Sequence, residues 1–222
     1  DKKISSGIEK ITGDSDNKAK DDNSKHKKAN KNTSNDKSKI KKINWKDFSQ
    51  DTKAILEIPD MLEYPVVQSD DNSFYLHRGL DKKYKYSGTL FIDYHNNSDF
   101  TDDNTIIYGH NMRNLSMFGK LRYYKQKEYY DNHAYFQIFT DKGIYRYQIF
   151  AYADVPADSF VYQVPYGADE SFEIFIQQLK KQSYYDTDVE VTQNDKVVTL
   201  STCSTTGMRF IVNAVRVDEY LY

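Results

Sequence analysis

The first 42 residues contain no Phe, Tyr, Trp, Leu, Val or Met, whereas all 20 Tyr, all 12 Phe and the single Trp follow residue 42. A segment whose only sizeable apolar residues are four Ile cannot bury enough surface to offset the entropy of ordering. We therefore expect residues 1–42 to be a disordered Lys/Asn/Ser-rich linker. Residues 43–222 are long enough for one well-cored domain and short for two, so we expect a single folded domain there.

Charge divides the chain at the same place. Residues 1–42 hold 13 Lys against 7 Asp or Glu, a net charge of +6, and the remainder has a net charge of −8. The Lys clusters of the first segment suit a position near an anionic surface such as a membrane, although a plain spacer would have the same composition. Nucleic-acid binding is disfavoured, because the folded part is acidic and its basic residues are scattered.

Several kinds of site and segment are missing from the sequence. The single Cys excludes an internal disulfide framework and a multi-Cys zinc site. No His, Asp or Glu set has metal-ligand spacing and no Gly-rich phosphate loop occurs, so we expect neither a metal nor a cofactor. No run approaches the roughly 20 apolar residues of a membrane span. Because the chain begins at Asp1 rather than Met, we expect that an upstream signal or anchor has been removed.

Short β-branched and aromatic runs dominate the folded part, which is typical of a mainly β domain. An amphipathic pattern with acidic residues at its start and Lys at its end predicts a long helix over 169–181. Weaker helical patterns cover 44–48, with Asn44 as a candidate cap, and 114–124. Eight or nine strands with two or three helices favour a β-barrel or sandwich. The predicted strands cover 54–58, 64–67, 74–77, 89–94, 104–108, 134–139, 144–153, 196–203 and 209–217.

The only Cys ends a predicted strand. Cys203 shares one face of that strand with Ser201, and five residues separate it from Arg209, which starts the next strand. In a simple hairpin Cys203 and Arg209 lie opposite each other, with Cβ atoms roughly 5 Å apart. A guanidinium there could favour a thiolate and stabilise an oxyanion on an attacked carbonyl. A buried, inert Cys beside a surface Arg is the alternative, since free Cys is among the most buried residue types.

A cysteine nucleophile usually requires a base, and the chain has five His. His26 lies in the predicted linker, and His77 and His133 lie at predicted strand ends, where a structural imidazole is common. His95 and His110 each follow a strand into a polar loop, where a side chain can project over the end of the sheet. Spacing alone does not separate these two candidates.

Four sequence blocks are distinctive: Tyr64–Gln68, Asn104–Met112 with Ser116–Gly119 downstream, Asp131–His133, and the hairpin Thr199–Cys203 followed by Arg209. The last block resembles the active-site hairpin of the sortase family, whose members are cysteine transpeptidases, and the first three are similar to its class B branch. The similarity runs from about residue 43 to residue 217. Any single block is weakly specific for the family, but the occurrence of all four in family order is a strong signal.

The resemblance implies an eight-stranded sortase-type β-barrel with an N-terminal helical element and a long helix before the penultimate strand. It also implies an extracytoplasmic enzyme of a Gram-positive cell, held to the membrane by an anchor that is absent from this chain. Such an enzyme cleaves a C-terminal sorting motif of surface proteins through a thioacyl-enzyme and passes the acyl group to a peptidoglycan-precursor amine. On this view 43–222 is the catalytic domain and 1–42 is its tether.

The same resemblance assigns the catalytic roles to Cys203 as nucleophile, His110 as acid and base, and Arg209. The loop between Cys203 and Arg209 is shorter than in many class B relatives, so no contacts from that loop are carried over. Two other functions stay open from the sequence. One is a hydrolytic cysteine peptidase using the same Cys203 and His110, and the other is a non-catalytic surface β-barrel whose many Tyr form a binding face.

Substrate-binding residues are the least defined part of the prediction. Ser201 resembles a substrate-contacting position in the family and shares the face of the nucleophile. Position and resemblance also place substrate specificity in the loop 95–104 and around the helix 169–181. We therefore expect Asn96 and Tyr185 to influence which peptide is bound.

Overall fold

A computed structural model describes residues 43–163 and 166–222, so the predicted linker 1–42 lies outside the described residues. The chain divides into two units, one ending at Phe48 and the other spanning Ser49–Tyr222. The described end of the first unit contains a 3₁₀ helix, Trp45–Asp47, beside which the rings of Trp45 and Phe48 are 6.0 Å apart. Asn44 does not cap this turn as predicted. Its side chain instead donates to the Asp47 carboxylate.

The second unit is a closed barrel of eight strands, which confirms the mainly β prediction and selects the barrel over the sandwich. Hydrogen-bonded neighbours follow the order β1-β2-β3-β4-β7-β8-β6-β5, and β5 pairs again with β1. A closed barrel leaves no unpaired sheet edge. The strands are β1 Thr52–Ile58, β2 Leu62–Val67, β3 Leu90–Ile92, β4 Asn104–Tyr108, β5 Tyr135–Phe139, β6 Gly143–Pro156, β7 Val197–Cys203 and β8 Met208–Leu221.

Alternation along the strands divides the buried side chains between two cores. One cluster takes apolar residues from all eight strands and therefore fills the barrel interior; Leu200 of β7 belongs to it. A second cluster contains Val197 of β7 and lies against a helix outside the barrel. Ser201 and Cys203 share the face of Val197, so the thiol lies at the end of the outward-facing row.

The helix that precedes β7 follows the sequence prediction closely. Helix α2, Glu170–Gln182, begins after Asp169, whose side chain accepts a hydrogen bond from the Ser171 N–H at 2.9 Å. A shorter helix, α1, covers Lys127–Asn132. No helix in the two described ranges is long and apolar enough to span a membrane. The apolar stripe that α2 buries against the second cluster is Phe172, Phe175, Ile176 and Leu179.

Two local predictions were wrong for identifiable reasons. Residues 74–77, expected as a strand, form a 3₁₀ helix, because the Asp71 carboxylate accepts the N–H groups of Ser73 and Phe74 at 2.7 Å and starts a turn. The helix expected over 114–124 begins only at Gly119 and ends at Lys125 as 3₁₀ structure. Leu115 and Met117 have φ of 66° and 52°, which an α-helix cannot contain.

Candidate active site

The geometry of the site follows from the parallel pairing of β4 with β7. Tyr108 is the register partner of Ser201, and the N–H of Gly109 donates to the Ser201 carbonyl at 3.1 Å. Two residues beyond that pair, the chain reaches His110 just after the end of β4 and Cys203 at the end of β7. Because parallel strands end at the same edge of a sheet, the two side-chain positions are neighbours.

The other neighbour of β7 supplies the third predicted residue. Cys203 is the register partner of Arg209 in the antiparallel hairpin of β7 and β8, as the spacing predicted. The thiol is free and exposed, which removes the alternative of a buried, inert Cys. The ion pairs found among residues 43–163 and 166–222 do not include Arg209, whose Nη1 donates to the Met208 carbonyl at 3.2 Å. Within this described part of the chain, no carboxylate neutralises its charge.

The ring of His110 is held on two sides. Its Nε2 lies 2.7 Å from the Leu76 carbonyl oxygen, and its ring stacks on His77 with centroids 5.2 Å apart. A carbonyl can only accept, so Nε2 carries the proton in this contact. In the neutral ring Nδ1 is then the nitrogen free to take a proton. The structure thus gives His110 the tautomer that a general base needs.

The competing candidate, His95, is directed elsewhere. Its Nδ1 lies 2.9 Å from Asp93 Oδ1, and its ring packs on Tyr94. His133 contacts the carbonyl of Tyr129 at 2.9 Å and stacks on the Tyr129 ring. Among the four His of the described ranges, His110 is the one carried by the strand that pairs with β7, which separates the two candidates that spacing left equal.

Tyr162 and Tyr108 lie beside the outward-facing row of β7 side chains that ends at Cys203. Ser201 is only 1% exposed, and its hydroxyl lies 2.8 Å from the hydroxyl of Tyr162. The Tyr162 ring stacks on Tyr108 with centroids 6.2 Å apart. Burial raises the pKa of Tyr162, so its hydroxyl stays neutral and can donate to a carbonyl. The predicted contact residue Ser201 therefore lies beneath Tyr162, which the sequence reasoning missed.

The buried carboxylate of Asp93 fixes the position of the Tyr108 hydroxyl through a hydrogen bond. This carboxylate is 3% exposed and accepts hydrogen bonds from Tyr108 Oη, Asn72 Nδ2 and the His95 N–H, each at 2.9 Å. Burial alone would raise the pKa of Asp93, but these hydrogen bonds together hold it below the ordinary value. The folded state therefore favours the ionised carboxylate.

Replacing Asp93 by Asn is expected to lower the free energy of unfolding by about 1–3 kcal/mol at pH 7, because four donors, the His95 Nδ1 among them, lose an anionic acceptor. A lowered folded-state pKa contributes stability that is present above the ordinary value of 3.8 and is lost as pH falls through the folded value. The gap between wild type and Asp93→Asn should therefore shrink below about pH 4. Urea unfolding at several pH values measures this gap. Exposed Asp141→Asn is the control, and a gap that widens at acid pH would contradict the account.

Two predicted substrate residues lie away from the row beside Cys203. Asn96 is 5% exposed and donates both amide hydrogens inside its own loop, to Asp102 Oδ2 at 2.7 Å and the Asn104 carbonyl at 2.8 Å. These two hydrogen bonds of Asn96 stabilise the conformation of the loop. Tyr185 is 38% exposed and packs its ring on Tyr152 of the barrel interior.

Tyr184, the neighbour of Tyr185, contacts a residue of the pocket that contains Cys203. Its ring stacks on Phe210 with centroids 6.3 Å apart, and its hydroxyl donates to Asp154. Phe210 lines a pocket of about 440 Å³ that also includes Cys203 and Lys125 in its wall. Burial, followed by the bond to Asp154, raises the pKa of Tyr184 to about 12. The role of Tyr185 in peptide preference stays a prediction, and the sequence analysis did not single out Tyr184.

Sequence comparison supplies the family of this barrel. A family profile described as a sortase domain matches residues 56–217. The chain belongs to the sortase family. It is 38% identical over 144 residues to sortase B of Listeria monocytogenes and 32% identical over 158 residues to sortase B of Staphylococcus aureus. These alignments cover 65% and 69% of this sortase, but only 58% and 64% of the two relatives, so the chain spans about three fifths of their length.

Solved sortase structures share the fold. The sortase B structure from Listeria monocytogenes superposes with a TM-score of 0.69 at 36% identity, covering 75% of this chain and 94% of that one. The Staphylococcus aureus sortase B–substrate complex gives a TM-score of 0.73 at 27% identity, covering 77% of this chain and 82% of that one. The relatives confirm the class B assignment that three of the four sequence blocks predicted.

Proposed function

We propose that this sortase is a cysteine transpeptidase whose catalytic residues are Cys203, His110 and Arg209. The observation that carries the proposal is the edge of the sheet at which β7 ends. There an exposed thiol lies between a His of defined tautomer on one neighbouring strand and an unpaired Arg on the other. Nucleophile, proton carrier and fixed positive charge are the groups that acyl transfer requires.

In the first half-reaction the Cys203 thiolate attacks a backbone carbonyl of the bound peptide. The C–S bond forms, and the carbonyl oxygen becomes an oxyanion that Arg209 stabilises. The C–N bond then breaks as protonated His110 gives its proton to the departing amine. The products are a thioacyl-enzyme and the released downstream peptide.

In the second half-reaction an incoming amine attacks the thioester carbonyl. Neutral His110 accepts a proton from the attacking nitrogen, so the imidazole returns to its starting charge. The C–S bond breaks, the Cys203 thiolate is restored, and the new amide leaves. Because His110 serves both the leaving and the incoming amine, both should approach Cys203 from the β4 side.

The substrates follow from the chemistry and from the relatives. One similar structure is a sortase B–substrate complex and another is a sortase B complexed with triglycine. For this chain we take the acyl donor to be a sorting-motif peptide of secreted surface proteins and the acceptor to be a peptidoglycan-precursor amine. Residues 43–222 would be the catalytic domain, and 1–42 would tether it to an extracytoplasmic membrane surface through an anchor outside this chain.

A partition experiment tests transfer against hydrolysis. A peptide library is incubated with the enzyme with and without triglycine, and the products are identified by mass. A transpeptidase diverts the acyl product to the triglycine adduct in proportion to the amine concentration. Cleavage that yields only the free acid at every amine concentration would instead favour the hydrolytic peptidase.

Replacing Arg209 by Gln is expected to lower kcat/KM by about 10²–10³-fold, the usual loss when one oxyanion donor is removed. The effect should fall on kcat, because the charge on the carbonyl oxygen exists only in the transition state. Peptide cleavage kinetics measure it. Arg146→Gln removes an exposed Arg on β6 that covers the ring of Tyr135 and should leave kcat unchanged. A wild-type kcat for Arg209→Gln would contradict the assigned role.

A further inference from the structure

The segments that carry His110 and Cys203 are linked by a side chain. The backbone ladder between β4 and β7 reaches Gly109, whose N–H bonds the Ser201 carbonyl. Beyond that point Asn111 Nδ2 donates to the Cys203 carbonyl at 2.7 Å. The residue directly after the candidate acid–base is therefore bonded to the backbone of the nucleophile itself.

Arg122 determines which way the Asn111 amide points. Its Nη2 donates to Asn111 Oδ1 at 2.6 Å, while its Nε donates to the Gly119 carbonyl at 2.7 Å. A guanidinium can only donate, so the amide oxygen must face Arg122 and the NH₂ group must face Cys203. With its planar fork held on two acceptors, Arg122 fixes both the position and the orientation of Asn111.

The loop that follows His110 is closed on itself. The His110 carbonyl accepts the Phe118 N–H at 3.0 Å, and a Cβ added to Gly119 would lie 2.4 Å from the Met112 carbonyl oxygen. Leu115 has a φ of 66°, a conformation that the surrounding contacts must maintain. Because these contacts hold the loop in one conformation, the hydrogen bond from Asn111 to the Cys203 carbonyl sets the position of the loop relative to β7.

We propose that Asn111, oriented by Arg122, is a positioning residue that fixes the separation of His110 from Cys203. This inference rests on the proposed transpeptidase function. Neither Asn111 nor Arg122 exchanges a proton in the reaction. A misplacement of about 1 Å between two reacting groups lowers the rate on the order of 10²-fold. Loss of the hydrogen bond between Asn111 and the Cys203 carbonyl should therefore have a large effect on turnover.

Two substitutions of Asn111 separate positioning from stability. Asn111→Ala removes both hydrogen bonds, whereas Asn111→Asp keeps an oxygen for Arg122 but has no N–H for the Cys203 carbonyl. Both should lower kcat by about 10- to 100-fold with KM within about twofold. Asn111→Asp should unfold at a denaturant concentration no lower than wild type, because it gains an ion pair with Arg122. The control is Asn132→Ala, which removes a comparable bond from Asn132 Nδ2 to the Glu128 carbonyl at 2.9 Å.

A double-mutant cycle tests whether Arg122 acts through Asn111. Arg122→Gln should lower kcat in the wild-type background and change it by less than about twofold in the Asn111→Ala background. Full additivity, or a wild-type kcat for Asn111→Asp, would overturn the proposal. If Cys203→Ala were to retain turnover, the proposed function itself would fail. If Cys203 is essential and Asn111→Asp is fully active, only the positioning role fails.

Discussion

Cys203→Ala is expected to abolish turnover of the donor peptide, with a loss of about 10⁴-fold or more, because the proposed covalent intermediate cannot form without the thiol. The thiol is exposed at the end of β7, so its removal leaves the barrel core unchanged. Circular dichroism and urea unfolding of the variant should therefore match wild type. Peptide cleavage followed by mass detection gives the rate.

A control substitution in the same loop tests whether the loss of turnover is specific to the thiol. Thr206→Ala changes an exposed side chain in the same loop between β7 and β8, outside the pocket wall, and should alter kcat by no more than about twofold. Equal losses in Cys203→Ala and Thr206→Ala would indicate that the loop between β7 and β8 had been disturbed. Retained turnover in a well-folded Cys203→Ala would exclude Cys203 as the nucleophile.

His110→Gln is expected to lower kcat by about 10²–10⁴-fold, the range for a general acid–base catalyst, which is the role proposed for His110 in both half-reactions. Gln can still contact the Leu76 carbonyl as the ring does at 2.7 Å, so local packing is largely kept while proton transfer is lost. The pH dependence of the residual rate should also lose the limb that belongs to the imidazole. Steady-state kinetics across pH measure both effects.

His95→Gln is the matched control for the loss at His110. His95 bonds Asp93 and packs on Tyr94, and it belongs to neither of the strands that flank β7, so kcat should stay within about twofold of wild type. A large loss in His95→Gln together with an active His110→Gln would reverse the assignment that the geometry supports.

Most strands and the hairpin were predictable because their signals are local, whereas the barrel was predicted over a sandwich only through the family resemblance. Period-two alternation in β7, followed after five residues by Arg209, determines both the faces and the register of the hairpin. The helix α2 carries its stripe and its cap within 14 consecutive residues, Asp169–Gln182. Residues 74–77 failed because a single upstream carboxylate, Asp71, overrides their β propensity.

Several residues of the site were not predictable because their partners are distant in sequence. Tyr162 and Ser201 are 39 residues apart, and Asn111 and Cys203 are 92 apart. No periodicity or spacing relates such pairs; only the barrel closure brings them together. The burial of Asn96 was likewise not predictable, since a polar residue in a loop gives no sequence signal that both its amide hydrogens are bonded inside the fold.

The central claim is that an acyl group passes through Cys203, and intact-protein mass spectrometry of the trapped intermediate tests it most directly. The enzyme is mixed with a peptide selected for turnover from the library and quenched in acid within one turnover. The account predicts an added mass equal to the acyl fragment, mapped to Cys203, that disappears when triglycine is added before the quench. Rapid peptide cleavage with no added mass on Cys203 at any time would contradict it.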